Sequence, residues 1–223
     1  MKLLVALSTI IDGNMLIAKD QSDTKVIQNR TDFLASHRIA MANTTRLKII
    51  YEGNDYCRYY EVANRHKRQG MFNDDGIAAD ALVTQEPGHA LFLPLADCVG
   101  AAIYDPIQHI LMVSHLGRHS LEQNGGYNCI DFLIKTYSCD PSKLLVWLTP
   151  APGQQNYPLF AFNNRAVKDV VFEQLQTAGI LTQNITDDPT DTTNDTRYYS
   201  HSEFLRGNRT EDGRYALVAV INN

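Results

Sequence analysis

The stretch PLADCVGAAIYDPIQHILMVSHLGRHS, residues 94–120, decides how this chain folds. Two apolar runs, VGAAIY (99–104) and HILMVS (109–114), flank the segment DPIQ. Asp followed by Pro suits the first two positions of a type I turn, so the pattern predicts an antiparallel hairpin with Pro106 and Ile107 at its tip. In that register Tyr104 faces His109, Ala102 faces Leu111, Gly100 faces Val113 and Cys98 faces His115. Opposed residues hold their Cβ atoms roughly 4.5–5.5 Å apart on one face of the sheet. A thiol and an imidazole so placed can share a metal ion or a hydrogen bond. Equally, Cys98 can be a small buried hydrophobe and His115 a satisfied polar residue. Asp97 beside the cysteine and His119 beyond the histidine add two groups able to move protons.

Neither run has a polar face, as expected of strands covered on both sides. The same holds for residues 2–11, ADALVT (79–84), HALFLPL (89–95), KLLVWLT (143–149) and RYALVAVI (214–221). Further strands are expected near 46–51 and 57–63, and RHKRQGMFNDDG (65–76) reads as a loop. Helices are expected from Thr24 to Ile39, capped by Asp23, over 120–137, and over NRAVKDVVFEQLQTAG, capped by Asn163 or Asn164 and ended by Gly179. Residues 187–196 read as a loop and RYYSHSEFL (197–205) as extended. With no repeat or linker to divide it, the chain is expected to be one mixed α/β domain over 1–223, its two-sided strands sandwiched between helices.

At 223 residues and 44% hydrophobic, the chain can bury a core without disulfides or a structural metal. The net charge of −5 and the lack of a basic stripe exclude nucleic acid as the main partner. Four cysteines without C-x-x-C spacing read as free thiols of a reducing compartment, and a cytoplasmic location is expected. MKLLVALSTIIDG reads as a first strand rather than a secretory signal, and no run is long enough to span a membrane.

ADALVT, EPG, LADC, YDP and SHLG, in this order, resemble the motifs of the YfiH-like laccase-domain family, also called the multicopper polyphenol oxidoreductase or purine nucleoside phosphorylase family. VIQNRTDFL (26–34), LTPAPGQQNYPL (148–159) and YYSHSEFLRGNRTEDGRYALVAVI (198–221) extend the resemblance over nearly the whole chain. It implies a sandwich of two mixed β-sheets between outer helices. It also implies a zinc-containing enzyme that splits adenosine, inosine, guanosine or methylthioadenosine with phosphate, or deaminates adenosine; copper-dependent phenol oxidation is the older and weaker label.

Carried over motif by motif, the implied metal ligands are Cys98, His115 and, where the family's QVHG aligns with IYEG (50–53), Glu52 in place of a histidine. Glu52 can equally be a solvated carboxylate before a glycine turn. HLGRHS (115–120) departs from the family's HAGWRG, so Arg118 and His119 stand where a Trp and an Arg are expected, and Asn156 replaces a cysteine. Cys98, His115, Asp97 and His119 are thus the candidate catalytic residues, and Arg118, His201, Arg206 and Arg209 the candidate substrate-binding residues. The expected partners are a purine nucleoside and phosphate, with no nucleic acid and no membrane. Two rivals stand beside this reading: a metal-free Cys–His nucleophile, and a degenerate member that binds a nucleoside or a protein without turnover.

Overall fold

The computed structural model describes residues 1–18 and 23–222. Strands β1 (Lys2–Leu7), β2 (Thr44–Lys48), β3 (Tyr59–Glu61), β4 (Ile77–Ala78), β5 (Ala81–Thr84), β6 (Ala90–Leu95), β7 (Val99–Asp105), β8 (Ile110–Leu116), β9 (Leu145–Leu148), β10 (Ile185–Asp187) and β11 (Tyr215–Asn222) form two mixed sheets. One has the order β1-β11-β6-β2-β4 and the other β10-β9-β7-β8-β5-β3. Helices α1 (Thr24–Ser36), α2 (Arg118–Glu122), α3 (Gly125–Tyr137), α4 (Val167–Thr177) and α5 (His201–Leu205) complete the fold.

Every residue of β7 and β8 is buried, because each strand feeds two apolar layers. Ala101, Ile103 and Met112 face α3 and α4, packing with Ile130, Leu133, Val170 and Val171. Ala102, Tyr104, Leu111 and Val113 face the other sheet, packing with Leu91, Leu93, Leu217 and Ala219. A third layer, with Phe33, Leu34, Phe92, Val218 and Val220, lies between α1 and the first sheet. The arrangement is the expected sandwich of two mixed sheets between outer helices.

The hairpin register differs from the expectation. Asp105 pairs with Ile110, Tyr104 with Leu111 and Gly100 with His115, so Cys98 does not face His115 directly. The Asp105 carboxylate accepts hydrogen bonds from the N–H groups of Ile107 and Gln108 (2.8 and 2.9 Å), and His109 turns left-handed (φ 57°), which keeps four residues in the loop. The pairing moves by two residues along the strand, so Cys98 and His115 keep the same face.

Other differences are local. Asn124 is left-handed (φ 60°) and splits the expected 120–137 helix into α2 and α3. Asn163 and Asn164 are left-handed too, and α4 begins later, after Ala166. Residues 201–205 are helical, not extended, with the Ser200 hydroxyl accepting from the Glu203 N–H. Asp23 caps α1 as expected. No helix among the described residues is long and apolar enough to cross a membrane.

Arg30, fully buried on α1, donates to the carbonyls of Met15, Gly70 and Met71 at 2.9 Å each. Burial pushes its pKa down to about 9, with Arg46 adding to the fall. Arg30→Ala would take this donor from the Met15 and Met71 carbonyls, Gly70 keeping its bond from Arg46, so we expect it to destabilise the protein by about 3 kcal/mol. Lys25→Ala, on the exposed side of α1, should stay within about 0.5 kcal/mol of the parent. Urea denaturation of both variants checks this.

Candidate functional site

The layer between the sheets is apolar along most of β7 and β8, then changes character at one end. There Gly100 stands opposite His115, and continuing the pairing outward brings Cys98 beside Gly117. A Cβ built on Gly117 would lie 2.7 Å from His115 Cε1, 3.1 Å from His115 Nε2 and 3.0 Å from Cys98 Sγ. Any side chain at 117 would therefore collide with the imidazole and the thiol, so glycine lets both pack directly against the backbone there.

His115 is buried, its backbone N–H donating to the Asp80 carbonyl at 2.8 Å. Burial pushes its pKa down to about 4, against the pull of Asp80. Cys98 is half-buried, and burial pushes its thiol up to about 12; Asp97 adds to the rise, and Arg214 and Arg118 oppose it. Both groups are uncharged at neutral pH. That is not the thiolate–imidazolium pair of an activated cysteine nucleophile.

Cys98, His115 and Gly117 line a cavity of about 810 Å³ at this end of the sandwich. Arg118 and His119, which open α2, line it too, and the His119 ring stacks on Tyr56 (centroids 4.8 Å apart, planes 22° apart). Gln123 holds the Tyr56 loop in place: its Oε1 accepts from the Tyr56 N–H at 2.9 Å and its Nε2 donates to the Asn54 carbonyl at 2.7 Å. Tyr157, His201 and Arg214 also line the cavity, as do Arg46, Lys48 and Asp74, which are ion-paired through Asp74.

Asp97 lines the cavity too, but its carboxylate is taken up by the protein itself. Asp97 is buried and left-handed (φ 65°), its carboxylate accepting from the Ser202 N–H at 2.6 Å and the Thr192 hydroxyl at 3.1 Å. It is a clamp, with both oxygens engaged. Arg206 and Arg209 do not line the cavity. Arg206 pairs with Glu203 and donates to the Asn156 carbonyl, and Arg209 donates to the Thr193 carbonyl at 3.2 Å. Tyr56, Tyr157, Gly117 and Arg214 were not among the expected residues. Arg214 lies in the EDGR segment that resembles the family's last motif, whereas Tyr56 lies in a loop with no periodicity to mark it.

Cys98 Sγ and His115 are the two side chains that could hold a soft metal ion. A catalytic zinc takes three protein ligands and leaves a fourth position open. Among the described residues no group of three His, Cys, Asp or Glu side chains is placed to hold a metal. Glu52 is exposed on the cavity rim and does not complete the set, and the Asp80 carboxylate is engaged by the Arg58 backbone N–H and guanidinium. The expected Cys98–His115–Glu52 zinc centre is therefore corrected to a two-donor pair, which does not fit the ion.

Residues 10–171 match the family described as multi-copper polyphenol oxidoreductase laccase, and the chain belongs to that family. Its fold is similar to that of the hypothetical protein YfiH of Bacillus licheniformis, with a TM-score of 0.86 at 19% identity, covering 99% of this chain and 93% of that one. YlmD of Geobacillus stearothermophilus gives 0.87 at 18% identity, covering 99% and 92%. A Neisseria meningitidis protein gives 0.74 at 14% identity, covering 99% and 95%. No protein of curated function matches the chain.

The buried neutral imidazole gives a test that needs no substrate. Below about pH 6.5 the unfolded chain protonates His115, whereas the folded protein resists until about 4. Stability should therefore fall with acidification across that window, with a contribution from this group of up to about 1.4 kcal/mol per pH unit. His89 and His66, also lowered by burial, act in the same direction. Urea midpoints measured across the window should fall less steeply in His115→Gln than in the parent.

Proposed function

We propose that this protein is a purine nucleoside enzyme that splits its substrate with phosphate in the cavity bordered by Cys98, His115 and Gly117. The observation that carries the reading is the aromatic pair Tyr56–His119 and the cation Arg118, which line the same cavity as Cys98 and His115. At about 810 Å³ the cavity falls among small-molecule sites, typically about 300–1,000 Å³. A purine has the flat face that such an aromatic wall receives. Arg118 has no carboxylate partner among the described residues, and its one polar contact is His119 at 3.5 Å. A guanidinium so placed offers a planar fork to a phosphate.

The neutral thiol and imidazole supply a hydrogen-bond donor and an acceptor for the base or ribose without a buried charge. Two donors stand where a catalytic zinc takes three, so the proposed reaction rests on the side chains of the cavity. Phosphorolysis is favoured over deamination by Arg118, a cavity-lining cation with no carboxylate partner among the described residues. Binding without turnover is a second reading, favoured by the missing third donor.

Inosine or adenosine with inorganic phosphate should yield free purine and ribose 1-phosphate. Cys98→Ala should lower kcat/KM by about 100-fold, as expected for loss of a group touching the reacting centre. Release of no base from any purine nucleoside would remove the phosphorolysis reading, and a raised Tm with inosine alone would then favour binding without turnover. Gly117→Ala tests the close approach of His115 and Cys98 to this residue. Its Cβ would displace the His115 ring, and a shift of this kind should cost about 100-fold in turnover.

A further inference from the structure

A second imidazole reaches the same cavity. His201, the first residue of α5, lines it. Its Nδ1 lies 2.9 Å from Asp212 Oδ1, and Arg214 Nη1 lies 2.6 Å from the same oxygen. Burial would push the Asp212 carboxyl up, but hydrogen bonds from Arg214 and His201 more than reverse this, so it is held ionised below the usual carboxylate range. The α5 segment is tied to the thiol by another bond: Asp97, next to Cys98, accepts from the N–H of Ser202, next to His201, at 2.6 Å. The neighbours of the two reactive side chains are joined directly.

We propose that His201 is the proton-transfer residue of this site and that Asp212 is its positioning residue, with Asp97 fixing the pair beside Cys98. An ionised carboxylate at Nδ1 fixes the tautomer that carries its hydrogen there and frees Nε2 for the cavity. The assignment rests on the phosphorolysis reading for the step it serves. In that step a phosphate oxygen bonds to the ribose C1′ while the C1′–N9 electron pair leaves with the purine. The imidazolium Nε2–H gives its proton to the departing base, and the neutral imidazole regains one from solvent or dihydrogen phosphate. Asp212 remains ionised throughout and balances the imidazolium.

Two measurements on the full-length protein test it. With inosine and phosphate, His201→Gln should lower kcat by about 100-fold with little change in KM, and Asp212→Asn by about tenfold. Nitrogen-15 spectra of the histidine rings, taken at alkaline pH where imidazole is neutral, should show His201 with its hydrogen on Nδ1. In Asp212→Asn that hydrogen should redistribute to Nε2, which a merely structural carboxylate would not cause. An unchanged kcat in His201→Gln, in an enzyme that Cys98→Ala disables, would overturn the assignment. So would a parent His201 carrying its hydrogen on Nε2. If the parent protein splits no nucleoside, the phosphorolysis reading falls, and the tautomer spectra alone decide whether His201 is poised for proton transfer.

Discussion

The pairing of β7 with β8 is the constraint on which everything else rests. Seven residue pairs run from Val99–Leu116 to Asp105–Ile110. They carry two apolar faces at once, one closing on α3 and α4, the other on the opposite sheet. A slip of one residue would exchange those faces and bury His115 under the helices. With the register as it is, the inter-sheet layer ends at Gly100, Cys98, His115 and Gly117, where large apolar side chains give way to small or polar ones. The cavity is what remains when that layer stops being filled.

Much of this was legible in the chain. The apolar runs with no polar face marked strands covered on both sides, and Asp23 marked the start of α1. The order of the ADALVT, LADC and SHLG segments pointed to the family and to the sandwich. The face shared by Cys98 and His115 was legible too, because the period of a strand is two and the error in register was two residues along the strand. The size of that error was not legible. It depends on the Asp105 carboxylate gathering two N–H groups and on His109 adopting positive φ, a conformation that sequence marks clearly only at Gly or Asn.

Glu52 shows a different limit. Resemblance placed it where a histidine ligand is expected, but alignment carries no coordinates, and the residue is exposed on the rim. Asp97 was legible as a neighbour of the thiol, but its partners, Thr192 and Ser202, were not, because they come from distant sequence. Tyr56 had no signal at all. Its place depends on Gln123, at the break between α2 and α3 that Asn124 imposes. Parts of the site sit on loops held by a few side-chain hydrogen bonds, and such contacts leave no periodicity to read.

The central claim is that the thiol of Cys98 and the imidazole of His115, both packed against a residue 117 that has no side chain, border one cavity. A crystal structure of the protein with inosine tests it most directly. The account predicts density for the nucleoside in the cavity, in van der Waals contact with the Gly117 Cα and within hydrogen-bonding reach of Cys98 Sγ or His115 Nε2. Inosine bound elsewhere, or the two side chains closed against each other with no space between them, would contradict it.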